Sequence, residues 1–314
     1  MSLSGSIRTL AMAAIAAAMA MPLFTGCYSP THTAPIGSAE LRREGAAELS
    51  AEQKLVGGIR PEPPAAWHSG KSWRVTDDRL RLLLRGEIPT DSLAGMTMSL
   101  IGIEAAPTIT GDSVTELRMS LNGHPVAYRT AQSPEAFMAR SEYALPFAVE
   151  TAPVAALDTL LRGKRLYVLT STWLDSLGNY VKGRRYVAVT VTGVTPHEPQ
   201  TPARVTFTPD YDPTVEGSLA MSLTEGAAGR RDFPALFSLT DPRRSNSDIY
   251  PDVWELITRG SVAEGMTRRE CRLALGNPAS VERQEFYGFT RETWSYGNGT
   301  YLTFDDGILK TFRL

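Results

Sequence analysis

The chain has 314 residues, 42% of them hydrophobic, so it is long enough to bury a sizeable core and to form two globular domains. Charged residues make up 21% and the formal net charge is −2, which excludes the basic surface of a nucleic-acid-binding protein. Its two cysteines, Cys27 and Cys271, are too few for a disulfide scaffold.

The first predicted element is a secretion signal at residues 1–26. The apolar run at residues 10–24 has the length of such a signal and is too short for a membrane span. Thr25 and Gly26 then stand directly before Cys27. This arrangement resembles the bacterial lipoprotein signal, which implies that a lipid is attached to Cys27. One position departs from that signal, because Phe24 replaces the usual leucine. The alternative is an ordinary cleaved signal peptide with an incidental cysteine.

Residues 27–66 are predicted to form a flexible tether. Its first part is rich in Pro, Thr, Ser and Gly and has almost no large apolar residue, a composition that cannot bury itself. The three prolines of "RPEPPAAW" at its end prevent a helix from continuing. No acidic cluster of the kind that resembles a surface-export signal follows Cys27. We therefore expect a lipid-anchored protein of the outer membrane that faces the periplasm.

Residues 67–207 are predicted to form a β-rich domain. The strand-like runs are "SWRVT", "RLRLLL", "TELRMSL", "RLYVLTSTW" and "RRYVAVTVTGV". In the last of these runs Val187, Val189 and Val191 alternate with polar or small residues, which places the three valines on the core side. Turn signals such as Asn122-Gly123 separate the runs. The pattern favours a sandwich-like or open antiparallel sheet.

Residues 208–247 are predicted to link this domain to the next. Asp210, Asp212 and Glu216 stand close together, and clustered carboxylates are what calcium prefers. Their spacing lacks the pattern of a calcium loop, so a solvated acidic turn is the favoured interpretation. The sequence predicts no metal and no cofactor.

The stretch "GMTRRECRLALGNP", at residues 265–278, predicts a short helix. Thr267 and Glu270 form the pattern of a capping box, and Gly276 provides the stop. The predicted apolar stripe consists of Cys271, Ala274 and Leu275. Arg268 and Arg272 are predicted on the opposite side of this helix, where they form a candidate docking face.

The remaining C-terminal runs complete an α+β unit at residues 248–314. An amphipathic helix is predicted at "PDVWELITRG", before the capped helix. The strand runs "ERQEFY", "RETWSY", "TYLTF" and "ILKTFRL" then follow, with Asp306-Gly307 as the last turn. The expected fold is two helices on a three- or four-stranded antiparallel sheet. The whole chain is therefore predicted to be α+β.

The order of these C-terminal motifs resembles the SmpA/OmlA (BamE-like) lipoprotein family. The resemblance rests on "GMTRRECRLALGNP" followed by "ETWSYGNGTYLTFDDGILKTF" and covers residues 253–314. It implies a periplasm-facing outer-membrane lipoprotein with a helix pair on a three-stranded sheet. It also implies a docking role, of which assistance to β-barrel protein assembly is the founding example. This chain departs from the family in being far longer, with a β-rich region before the module.

Catalysis is not predicted. The four histidines, at positions 32, 68, 124 and 197, are scattered, and no motif of a metalloprotease, serine hydrolase or P-loop is present. Cys271 lies on an apolar stripe, where a cysteine is usually a small core residue. The leading hypothesis is a non-catalytic docking or assembly factor that binds other envelope proteins. The alternatives are a glycan- or lipid-binding module and an envelope hydrolase.

Overall fold

The computed structural model describes residues 49–88, 91–224 and 231–314. In them antiparallel strands dominate a mixed fold, which confirms the predicted class in this coarse form. The predicted secretion signal and Cys27 lie outside the described residues. Within the described ranges, no helix is long and apolar enough to cross a membrane.

The end of the predicted tether is packed in the structure. Helix α1 (Ala51–Val56) begins at Ser50, whose hydroxyl accepts a hydrogen bond from the Gln53 N–H at 3.1 Å. Its apolar residues Leu55 and Val56 pack, together with Ile59, against the core of a seven-stranded sheet. These three side chains supply the apolar surface that the preceding polar segment lacks.

The first sheet has six antiparallel strands in the order β2-β5-β4-β3-β1-β6. The strands are β1 (Ser72–Val75), β2 (Leu84–Arg85), β3 (Thr97–Pro107), β4 (Ser113–Leu121), β5 (His124–Arg129) and β6 (Ala148–Glu150). Helix α2 (Pro134–Met138) places the fully buried Phe137 in the core of this sheet. Asn122 and Gly123 make the turn between β4 and β5, and both have positive φ angles.

The run "RLRLLL" was predicted as a strand, and this prediction is wrong for most of the run. A 3-10 helix occupies Asp78–Leu82, and only Leu84–Arg85 is a strand. The preceding Asp77 accepts a hydrogen bond from the Arg79 N–H at 2.8 Å. This carboxylate satisfies a free N–H of the first turn and so favours a helix over an extended chain.

The second sheet has seven antiparallel strands in the order β13-β7-β10-β11-β12-β8-β9, with helix α3 (Thr151–Leu161) packed against β10. The strands are β7 (Arg165–Val168), β8 (Thr172–Leu174), β9 (Tyr180–Lys182), β10 (Val187–Glu198), β11 (Thr201–Pro209), β12 (Gly217–Met221) and β13 (Phe237–Ser238). In β10, Val189 and Val191 are buried in the core, as their alternation predicts. Each of these two sheets has its own apolar core, so they are not the two layers of one sandwich.

Residues 208–247, predicted as a link, contribute to the seven-stranded sheet. They contain β12, helix α4 (Phe233–Leu236) and β13. The apolar residues of these short elements, such as Leu219 and Phe237, are buried in the core of this sheet. Each element is only two to five residues long, which is too short for a clear periodic pattern.

The C-terminal elements are two helices and a four-stranded antiparallel sheet. Helices α5 (Pro251–Thr258) and α6 (Arg268–Leu275) come first, followed by β14 (Ser280–Phe286), β15 (Phe289–Ser295), β16 (Tyr301–Asp305) and β17 (Ile308–Arg313). The strands lie in sequence order. The core between helices and sheet includes Ile257, Cys271, Trp294, Leu302 and Phe304.

Arg185 joins these C-terminal elements to the seven-stranded sheet. Its guanidinium donates to the Ala274 carbonyl at the end of α6 at 3.0 Å and to the Leu169 carbonyl after β7 at 3.1 Å. Cations are favourable at the C-terminus of a helix, where carbonyl groups are free. Beside this contact the Tyr186 and Trp254 rings stack with centroids 5.6 Å apart. Helix α6 is therefore held in one position on the neighbouring sheet.

Candidate docking site

Helix α6, which carries the predicted docking arginines, has its two ends set by local sequence. The Glu270 N–H donates to Thr267 Oγ1 at 3.3 Å, and the Thr267 N–H donates to Glu270 Oε2 at 2.6 Å. At the other end Gly276 has a φ of +85°, and its N–H donates to the Arg272 carbonyl at 2.8 Å. The predicted capping box and glycine stop are confirmed.

The apolar stripe of α6 is narrower than predicted. Cys271 and Ala274 are buried against the sheet, but Leu275, in the last turn, is only half-buried. Truncating a fully buried leucine costs about 2–5 kcal/mol. Because Leu275 keeps part of its surface in water, we expect Leu275→Ala to cost less than that range.

Arg268 and Arg272 do not lie opposite the apolar stripe, which corrects the predicted orientation. Leu275 follows Arg268 by seven positions and Arg272 by three, so all three share one side of a helix with 3.6 residues per turn. The arginines therefore border the stripe and reach strand β15 of the sheet. Their guanidinium groups contact Glu292 and Trp294.

The Glu292 carboxylate is the centre to which these side chains converge. Its side chain is only 3% exposed, and Arg268 Nε lies 2.9 Å from Oε2. Arg283 on β14 donates to Oε1 through Nε at 3.0 Å, and Trp294 Nε1 donates to Oε2 at 3.2 Å. Burial alone would raise the pKa of Glu292, but the hydrogen bonds from Arg283 and Trp294 and the charge of Arg268 lower it overall. Glu292 is thus held as a carboxylate.

Arg272 is positioned by an aromatic ring instead of a carboxylate. Its guanidinium carbon lies 4.6 Å from the centroid of the Trp294 ring, which is itself fully buried. A guanidinium over an indole face is attracted by the ring quadrupole. Arg272 is nevertheless exposed, so one side of its guanidinium faces solvent.

We call Arg268, Arg272, Arg283 and Glu292 the basic cluster. Three positive charges and one negative charge leave an excess of two positive charges in one place. Arg283 is 62% exposed, so the cluster is open to a partner. A fixed group of guanidinium groups recognises carboxylates and other anions.

Sequence reasoning found Arg268 and Arg272 but missed Arg283 and Glu292. The signal was present in the hairpin between β14 and β15, whose turn is at Tyr287-Gly288. Pairing the strands outward from this turn places Arg283 opposite Glu292, as the structure has it. A charged pair on the helix-facing side of a sheet indicates that the helix does not cover the whole sheet.

Cys271 has the properties of a core residue and not of a nucleophile. Its side chain is fully buried, and burial, aided by the charge of Glu270, raises the pKa of the thiol to about 12. Because the thiolate is the reactive form, very little of it exists at neutral pH.

The other polar residues considered from the sequence do not converge on a reactive centre. Asp210 pairs with Arg165 of β7 at 2.7 Å, and Asp212 accepts hydrogen bonds from Thr214 in the turn after β11. Both carboxylates therefore have structural partners. In the described part of the chain, no group of three His, Cys, Asp or Glu residues could hold a metal ion. His32 lies outside that part.

Two cavities lie beside each other between the six- and seven-stranded sheets. The first has a volume of about 390 Å³ and is lined by residues that include Arg60, Glu142 and Phe233. The second has a volume of about 220 Å³ and reaches Trp73 and Tyr143. Small-molecule sites usually measure about 300–1,000 Å³, so the first is within that range and the second is below it.

The chain matches no known family model, no curated protein and no solved structure. The basic cluster is the part of the described surface where several arginine side chains converge on one buried carboxylate and one buried ring.

Proposed function

We propose that the protein is a lipid-anchored docking factor of the bacterial cell envelope that binds an acidic partner protein without catalysis. The observation that supports this proposal is the basic cluster, in which the Glu292 carboxylate and the Trp294 ring of β15 hold three arginines, two from α6 and one from the edge strand β14. Charge complementarity of this kind speeds association and selects partners. No chemical step is needed to explain the arrangement.

The resemblance to BamE-like lipoproteins supports the same proposal. Residues 248–314 contain two helices and a four-stranded antiparallel sheet, which has one strand more than the sheet that the resemblance implies. We therefore propose that these residues are a BamE-like module facing the periplasm. Its role would be in maintaining the outer membrane or assembling β-barrel proteins.

Lipid anchoring makes a direct prediction. Changing Cys27 to Ala removes the thiol that would receive the lipid, so the variant should lose incorporation of labelled palmitate. It should also move from the membrane fraction to the soluble periplasm. The measurement is palmitate labelling of both proteins together with cell fractionation. Labelling and membrane association that persist in the variant would refute the anchor.

Docking predicts a separate effect of the arginines. The double variant Arg268→Ala, Arg272→Ala removes two of the three positive charges, so capture of the partner should fall about tenfold or more. Capture is measured by cross-linking in intact cells and mass spectrometry of the bound proteins. Proteins captured through the cluster should also dissociate more readily as salt is increased.

The matched control for this experiment is Arg269→Ala. Arg269 lies on the same helix and is half-exposed, but it pairs with Asp248 at 2.6 Å and is outside the basic cluster. The variant Arg269→Ala should therefore leave capture of the partner unchanged. Equal capture by Arg269→Ala and by the double variant would remove the basic cluster from the docking surface.

The cavity of about 390 Å³ supports a second candidate function. Its lining combines the charged groups of Arg60, Glu142 and Asp232 with the apolar side chains of Val56 and Ile59, which suits a small glycan. Under this alternative, a glycan fragment would bind the double arginine variant as tightly as the unmodified protein. The two functions are therefore distinguished by the same set of variants.

A further inference from the structure

Strand β14 (Ser280–Phe286) is an exposed edge of the four-stranded sheet. Every one of its residues is exposed, and among the described strands it pairs with β15 alone. The opposite edge, β17, is covered only at its start: the Gly265 N–H donates to the Leu309 carbonyl at 2.9 Å, and the Leu309 N–H donates to the Met266 carbonyl at 2.8 Å. β14 is therefore the longest edge strand of the described sheets and is exposed along its whole length.

Such an edge is unusual for this molecule. The edge strands of the other two described sheets, β2, β6, β9 and β13, are two or three residues long, whereas β14 has seven. Proteins keep exposed edges short or interrupt them with lysine, proline or a bulge, because an open edge pairs with other strands. β14 contains no lysine, no proline and no bulge, and its charged residues Glu282, Arg283 and Glu285 protect the edge only against a partner that lacks complementary charges.

The sequence of β14 is complementary to itself in one antiparallel register. When two copies pair through this edge, a two-fold axis runs perpendicular to the joined sheet, so one residue lies opposite its own copy. With Gln284 at the axis, Arg283 of each copy lies opposite Glu285 of the other. On the same face, Val281 lies opposite Tyr287, the residue that follows β14.

The exposed surfaces of these residues fit this arrangement. Tyr287 is fully exposed and Val281 is 48% exposed. Because the two-fold axis generates two Val281–Tyr287 pairs, dimer formation would remove apolar surface from water at both of them. Opposite charges directly across an antiparallel pair are stabilising, and like charges are destabilising. The neighbouring symmetric registers place Glu282, Arg283 or Glu285 opposite its own copy. Registers centred on Val281 or Phe286 also avoid a like-charge pair at the axis, but only the register centred on Gln284 places Arg283 opposite Glu285.

We propose that two copies of the chain associate through β14, in the register centred on Gln284, to form a continuous eight-stranded antiparallel sheet. The partner at this edge is a second copy of the same chain. The proposal shares Arg283 with the basic cluster, but it is tested independently of the docking function, because the docking variants change Arg268 and Arg272 on α6 and the dimer variants change Gln284 and Glu285 on β14.

Cysteine cross-linking tests the register. In the full chain with Cys27→Ala, the variant Gln284→Cys places two thiols directly opposite each other, about 4.5–5.5 Å apart at Cβ, close enough to join with a small adjustment. Mild oxidation should give a covalent dimer. The matched control Glu282→Cys places its two thiols about 13 Å apart along the strands, so it should remain monomeric. The native Cys271 is buried and does not compete.

A charge variant tests the same interface without cysteine. Glu285→Arg places an arginine opposite Arg283 in both of the symmetry-related pairs, so like charges replace opposite charges there. Sedimentation over a concentration series should then show a dimer for the unmodified chain and a monomer for the variant. Three results would overturn the proposal: a monomer at every concentration with no cross-link at position 284, a cross-link at position 282 but not at 284, or a dimer that Glu285→Arg leaves intact.

Discussion

Replacing Lys71 with alanine should lower the free energy of unfolding by about 3–5 kcal/mol, the largest effect of a single charged residue that we expect in this protein. Lys71 is 5% exposed, and its Nζ lies 2.5 Å from Glu150 Oε1 and 2.9 Å from Glu62 Oε2. The rings of Trp67 and Trp73 flank the ammonium group at 5.5 and 5.7 Å. Removing it leaves the buried Glu150 carboxylate without its cation.

The pKa of Glu150 explains why this loss is severe. Burial raises the pKa of the carboxyl group, and the hydrogen bond from Lys71 only partly opposes that rise. The site is therefore unfavourable for a charge unless Lys71 is present. Joint replacement by apolar residues, Lys71→Met with Glu150→Leu, should restore much of the lost stability, because neither charge is then buried alone.

Urea denaturation at neutral pH measures these differences, with Glu62→Gln as the matched control. Glu62 contacts the same ammonium group but its side chain is 46% exposed, so its loss should cost at most about 1 kcal/mol. If Lys71→Ala proved no more destabilising than Glu62→Gln, the buried ion pair would not contribute to stability as we infer.

The parts of the fold that the sequence predicted correctly depend on neighbouring residues. The alternation of Val189 and Val191, the turn at Asn122-Gly123 and the capping box of α6 each need only a few consecutive side chains. Their physical causes are local, namely the direction of successive side chains, positive φ angles and free N–H groups. A single sequence contains all of that information.

The parts that it missed depend on contacts between distant residues. Lys71 and Glu150 are brought together by the pairing of β1 with β6, which no local pattern reveals. Likewise, the short strands β12 and β13 gain their place only from the sheet on which they pack. Tertiary packing decides such elements because their own propensity is weak.

The candidate docking site lies between these two cases. The sequence identified Arg268 and Arg272, but their orientation was predicted from a helix considered alone. The sheet supplies what was lacking, since Glu292 and Trp294 attract both arginines to the margin of the apolar stripe. Residues predicted to be free surface charges are thereby held in fixed positions, as a preorganised binding site requires.

Replacing Trp294 with alanine should destabilise the C-terminal elements by about 3–5 kcal/mol, as for other fully buried large aromatic residues. Trp294 is 0% exposed, and its ring centroid lies 4.5 Å from that of Phe304. The substitution empties the space between α6 and the sheet. It also removes the surface on which Arg272 rests and one hydrogen-bond donor to Glu292.

The matched control for this substitution is Trp294→Phe, which separates the packing role from the polar one. Phenylalanine keeps most of the ring and its contact with Phe304, so the cost should be smaller than for alanine. It lacks the indole N–H, but Arg268 and Arg283 still neutralise Glu292. The melting temperature of both variants and hydrogen exchange of β15 and β16 measure the effect. Partner capture should fall for Trp294→Ala, because Arg272 loses its fixed position, and should largely survive in Trp294→Phe. A small loss of stability in both variants would contradict the assignment of Trp294 as the centre of this core.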